Sequence, residues 1–182
     1  HTDHNGGDLH FGPDGYLYVS LGDEGGGYDQ YGNSQRIDND YFGGILRIDV
    51  DQRSGNLKPA PHAGLHGNYL VPSDNPFVGA KTFAGEPVDA AKLRSEFWAV
   101  GLRNPWRIAF DPGPDLIYIA DVGENRREEL NVVSRTAAGT NFGWDVLEGT
   151  YCRSSDCTTV LDTTVLPVME YAHDAGAAII GG

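Results

Sequence analysis

Three short segments concentrate the residues able to do chemistry. The first, His4-Asn5-Gly6-Gly7, sets an imidazole beside two glycines. A histidine ordinarily titrates near neutrality, so His4 is a candidate general base. The glycines let backbone pass close to a ligand. The chain holds six histidines, so a structural or merely exposed role stands beside that reading. His62, His66 and His173 read as loop histidines, and His1 is terminal. The second segment, Leu102-Arg103-Asn104-Pro105-Trp106-Arg107, brings a rigid guanidinium fork suited to carboxylates. Asn104 is driven toward an extended conformation by Pro105. A salt bridge followed by a turn is the plain alternative. The third, Asp121-Val122-Gly123-Glu124-Asn125, places loop carbonyls beside a glycine. Such oxygens suit a hard cation like Ca2+, and an acidic turn is the other reading. The acidic loop 23–29 carries the same two readings. Neither loop has the spacing of a helix-loop-helix calcium site. A phosphate-binding glycine loop and a Gly-x-Ser-x-Gly motif are both absent from the sequence.

The elements that must hold these residues read as short strands. Residues 8–11 run into the turn Gly12-Pro13-Asp14-Gly15, and Tyr16-Leu17-Tyr18-Val19-Ser20-Leu21 follows. Gly44-Ile45-Leu46-Arg47-Ile48-Asp49-Val50 is a third strand. The pattern recurs downstream. Strand 107–110, turn 111–115, strand 116–120 and strand 129–133 repeat it. The stretch 11–19 mirrors 110–119, which marks an internal repeat. Meanders of this kind predict propeller blades. Residues 97–100 are expected as the outer strand of the first blade, and 168–173 with 177–180 as the opening of a further unit. Residues 51–94, rich in Pro and Gly, read as a long functional or surface loop. A helical turn is expected only at 88–94.

The bulk properties agree. The net charge is −13 and the sequence pI about 4.6, so the surface repels nucleic acid. No apolar run approaches a membrane span. Cys152 and Cys157 flank a short polar loop, which fits a disulfide formed in an oxidising compartment, periplasmic or extracellular. The chain opens without an initiator Met or an apolar leader. Residues 1–182 are therefore expected to be an internal segment of a single β-propeller domain, incomplete at both ends.

Together these motifs resemble the soluble quinoprotein glucose dehydrogenases and aldose sugar dehydrogenases, the glucose/sorbosone dehydrogenase family. The matching segments, in family order, begin with His4-Asn5-Gly6-Gly7, Phe11-Gly12-Pro13-Asp14-Gly15, Gly22-Asp23 and Ile45-Leu46-Arg47-Ile48-Asp49. They continue with Pro72-Ser73-Asp74-Asn75-Pro76-Phe77, Ala99-Val100-Gly101-Leu102-Arg103-Asn104-Pro105 and Asp121-Val122-Gly123. Asn141-Phe142-Gly143-Trp144 with Glu148-Gly149 complete the set. The resemblance implies an all-β fold, part of a six-bladed β-propeller, with about two to three blades of four-stranded antiparallel sheet. It implies pyrroloquinoline quinone (PQQ) and Ca2+ as cofactors. His4 would be the base that takes the anomeric proton of an aldose while hydride passes to the quinone. Asp23 would lie near the sugar, and Arg103 and Asn104 would contact PQQ. The carbonyls of Gly123 and Glu124 would hold the calcium.

The sequence departs from the glucose-specific members in three places. Glu124 replaces a proline, Val122 a glutamine and Trp106 a polar residue. Their second calcium site also has no obvious counterpart, and the Cys152–Cys157 pair is expected to staple that region instead. Hedgehog-interacting-protein-like propellers share the pattern. A secreted, non-catalytic binder of carbohydrate or protein is therefore the alternative. So is a segment inactive alone, because further basic cofactor contacts lie on later blades. The sugar and the electron acceptor are not specified by these motifs.

Overall fold

The computed structural model describes residues 3–63 and 67–181; His1 and His66 lie outside them. Turn chemistry sets the first hairpin. The Gly15 amide bonds the Gly12 carbonyl at 2.8 Å, and Gly15 takes φ +77°, a value costly for a residue with a Cβ. This turn joins β1 (Leu9–Phe11) to β2 (Leu17–Leu21). Then come β3 (Gly44–Ile48), a small hairpin of β4 (Thr82–Phe83) and β5 (Glu86–Pro87), and β6 (Phe97–Val100). The second half holds β7 (Pro105–Asp111), β8 (Leu116–Asp121) and β9 (Arg127–Ser134). It closes with the pair β10 (Leu147–Glu148) and β11 (Tyr151–Cys152), the helical turn α1 (Thr158–Leu161) and β12 (Met169–Ala172).

Two four-stranded sheets result, ordered β1-β2-β3-β6 and β12-β9-β8-β7. Every pairing in them is antiparallel, with Leu17 opposite Ile48 and Ile119 opposite Asn131. They are two blades of a β-propeller. The expected outer strand at 97–100 is the edge strand β6, paired to β3.

Three expectations are corrected. Residues 169–172 do not open a further unit, because β12 pairs with β9 as the edge of the second blade. Residues 177–180 form no strand. Residues 88–94 form no helix either. Asp89 closes a turn there instead, accepting from the Ala91 amide and from Lys92 N–H through its carbonyl. The one helical turn among the described residues is α1.

One apolar cluster draws on both blades, including Tyr18, Ile45 and Trp98 from the first and Ile108, Ile117 and Ile119 from the second. Tyr18 meets Phe110 edge-to-face with centroids 4.9 Å apart. Polar pins cross the same seam. The buried Asp8 carboxylate accepts the Ile108 amide at 2.8 Å, tying the approach to β1 onto β7. The long insert, mostly exposed, is anchored to the first blade at a few points. Its Phe77 and Leu93 pack with Ile37, Leu46, Phe97 and Val100 in a second cluster. The buried Arg47 guanidinium holds Asp14 at 2.9 Å and Asp74 at 2.8 Å, clamping that insert to the first turn. Hydrophobic burial thus recruits the insert as a cover, which its Pro and Gly content concealed.

Candidate functional site

The three chemical segments lie where β1 and β7 begin and where β8 ends. His4 enters over the end of β2. A Cβ at Gly22 would overlap the His4 carbonyl, so only glycine admits this approach. His4 itself takes φ +47°, a left-handed conformation that a non-glycine residue holds only when its surroundings impose it. Its Nδ1 lies 2.6 Å from Asp23 Oδ1. Asp23 is fully buried. Its carboxylate also accepts Trp144 Nε1–H at 2.9 Å and the Gly25 amide at 3.0 Å. A carboxylate ringed by donors acts as an acceptor, so His4 Nδ1–H is the donor of this contact.

Arg103 and Asn104 are joined to that pair through backbone. The Asp23 amide bonds the Arg103 carbonyl at 2.8 Å, and the Gly6 amide bonds Asn104 Oδ1 at 3.2 Å. Both residues are buried. Their amides are gathered by Asp121, whose oxygens accept Arg103 N–H at 2.9 Å and Asn104 N–H at 2.7 Å. The Arg103 guanidinium donates Nε–H to Glu124 Oε2 at 3.1 Å. Its Nη1 donates to the carbonyls of Gly123 at 2.6 Å and Val122 at 3.2 Å. So the salt bridge foreseen as the plain alternative is present, with Glu124 as partner, and it lies inside the cluster.

The structure therefore brings all six candidates into one network: His4, Asp23, Arg103, Asn104, Gly123 and Glu124. Two loop carbonyls there already face a positive charge. That donor set fits a cation beside an anionic ligand. The far end of the other acidic loop stays outside this arrangement. Asp29 spends its carboxylate on the amides of Asn33 and Ser34 and on the Ser34 hydroxyl. Trp106, by contrast, is 44% exposed.

Sequence reasoning missed the supports. Trp144 orients Asp23, and Asp121 fixes the Arg103-Asn104 backbone. Their only signal was membership of the recurring motifs. His62 and His173 are loop residues as expected, each beside an acid, Asp40 at 3.3 Å and Glu128 at 2.7 Å.

Below the site, Asp121 sits opposite Glu129 on β8 and β9. Burial pushes the Asp121 carboxyl well up, and the neighbouring Glu129 charge adds to it. Burial likewise pushes Glu129 up to about 7, against the Gly149 and Asn131 hydrogen bonds and with help from Glu148 and Glu170. A carboxyl raised in the folded state favours folding at low pH. That advantage fades as pH climbs from its ordinary 4.5 toward about 7. Glu129→Gln is therefore expected to gain stability over wild type at pH 8, by up to about 3 kcal/mol, and little at pH 4. Urea unfolding at the two pH values checks this, and an equal difference at both would refute it.

The Cys152–Cys157 disulfide is formed, with Cα atoms 5.9 Å apart. It ties β11 to the start of α1. Removing it by the double Ser variant is expected to cost about 2 kcal/mol, given the short loop it closes. Thermal unfolding measures that loss, and non-reducing mass spectrometry of the wild type should find no free thiol.

Paired four-stranded blades, with a histidine–carboxylate pair and an arginine-bearing loop at their strand ends, define this as part of a β-propeller. The chain belongs to the glucose/sorbosone dehydrogenase family, whose model matches residues 1–173. It is 40% identical to the HIPL1 protein of Arabidopsis thaliana over the whole chain and 26% of that protein. It is 34% identical to the human Hedgehog-interacting protein over 65% of the chain and 14% of that protein. It also superposes on the PQQ-bound form of the aldose sugar dehydrogenase of Streptomyces coelicolor. That match has TM-score 0.57 and 27% identity, over 95% of this chain and 37% of that one. The chain spans about a quarter of the length of the first curated relatives it matches.

Proposed function

We propose that this chain carries the base and half the cofactor cradle of a PQQ-dependent oxidoreductase that converts aldoses to lactones. The single observation behind this reading is the His4–Asp23 pair, set beside Arg103 and the Gly123 carbonyl in one hydrogen-bonded network. His4 Nε2 takes the proton from the anomeric hydroxyl. Asp23 fixes the ring tautomer and stabilises the imidazolium that forms. Trp144 and the Gly25 amide hold Asp23 in place. When bound, PQQ supplies the two-electron acceptor for the hydride leaving the sugar carbon. Arg103 and Asn104 would hold its carboxylates, and the Gly123 and Glu124 carbonyls its Ca2+. The Glu124 carboxylate, paired with Arg103, would offset part of the positive charge there.

An oxidising compartment, periplasmic or extracellular, suits the disulfide. No helix among the described residues is long and apolar enough to cross a membrane. Absorbance titration of the full-length protein with PQQ and Ca2+, followed by dye-linked aldose oxidation, tests the reading.

A second reading is a non-catalytic propeller that binds carbohydrate or protein. Its support is the Arg103–Glu124 ion pair, which occupies the fork, together with the relatives named HIPL1 and Hedgehog-interacting protein. It predicts a flat PQQ titration.

A further inference from the structure

We infer that Glu148 is the positioning residue of the cation loop, an inference that rests on the cofactor reading above. One oxygen of this buried side chain, Oε1, accepts four successive backbone amides. The distances are 2.9 Å to Glu124, 2.9 Å to Asn125, 2.7 Å to Arg126 and 3.0 Å to Arg127. Four consecutive N–H groups converge on a point only when the chain curls around it. The curl is tight enough that a Cβ at Gly123 would overlap the Arg127 carbonyl. With the Glu124 amide turned inward to Glu148, the trans peptide plane turns the Gly123 carbonyl the other way, onto the Arg103 guanidinium. The internal carboxylate thus fills an anion nest and aims the Gly123 carbonyl outward.

Glu148 reaches the other half of the site as well. Its Oε2 lies 3.5 Å from Arg153 Nη1. The Arg153 guanidinium stacks 4.2 Å from the Trp144 ring, and Trp144 holds Asp23. One carboxylate therefore braces both the Gly123 carbonyl and the base pair. The four amides also hold its carboxyl below the usual range despite burial.

The test uses the full-length protein with Glu148→Gln and Glu148→Ala. Glutamine keeps an acceptor but removes the charge that gathers four donors. Two readouts are independent of turnover. Amide hydrogen exchange at residues 124–127, measured without cofactor, should speed up at least tenfold in both variants. Ca2+ affinity, followed by Tb3+ luminescence and Ca2+ competition, should weaken about 10- to 100-fold, as for groups that orient metal ligands. Near-UV circular dichroism should be unchanged in Glu148→Gln. Faster exchange with unchanged Ca2+ affinity would overturn the positioning role, and so would unchanged exchange. A wild type that binds neither ion would sink the cofactor reading and this role with it. Wild-type binding that Glu148→Gln retains would sink only the role of Glu148.

Discussion

His4→Ala in the full-length, cofactor-loaded protein is expected to lower kcat for aldose oxidation about a thousandfold, with little change in KM. The size follows from the geometry. His4 Nδ1–H donates to Asp23 at 2.6 Å, so Nε2 is the ring nitrogen left to act as base. Removing the imidazole removes the acceptor from the anomeric proton without disturbing the cradle of Arg103 and Asn104. His4 adopts φ +47°, so His4→Asn is the better control. Asparagine tolerates that conformation and carries no base. Asp23→Asn should fall between wild type and His4→Ala, because an amide no longer selects the tautomer. Stopped-flow reduction of bound PQQ measures the effect free of dye kinetics. Unchanged reduction rates in both His4 variants would reject the assignment.

The second large effect concerns Arg103. Arg103→Ala is expected to weaken PQQ binding at least a hundredfold, read by absorbance titration. Truncating one member of a desolvated charge pair typically costs about 2–5 kcal/mol. The guanidinium is also the one cation in this cluster aimed at the Gly123 carbonyl and the Glu124 carboxylate. Arg103→Lys should recover only part, since an ammonium has no planar fork. Stability and binding can be separated. Arg103→Ala strands Glu124, whose side chain is only 12% exposed. The double variant with Glu124→Ala should restore thermal stability and leave PQQ binding weak. If the double variant recovered PQQ affinity, the pair would be a structural latch and the non-catalytic reading would gain.

The motifs and the network they form differ in how far the chain alone revealed them. The turn Gly12-Pro13-Asp14-Gly15, the repeated strand pattern and the pairing of Cys152 with Cys157 were legible, because turn chemistry, alternation and short spacing act locally. The edge strand β12 was misread as a new unit, since pairing with Leu130 and Arg127 across β9 leaves no local mark. The insert 51–94 reads as a functional or surface loop and is largely exposed, but its anchoring through Phe77 and Leu93 was not legible, since their burial depends on a sheet face supplied by distant residues.

The same division holds at the site. The order of His4, Asp23, Arg103, Asn104, Gly123 and Glu124 along the chain determined the family and nominated the chemical groups, because residue type sets what a side chain can donate or accept. Only the tertiary structure decided that Asp23 is buried with Trp144 on one oxygen and His4 on the other. It alone placed Glu148 under four amides of a loop more than twenty residues earlier in the chain. The physical reason is range. Propensity and turn preference act over a few residues, whereas tautomer selection and carbonyl aim depend on hydrogen bonds that exist only once the two blades have packed.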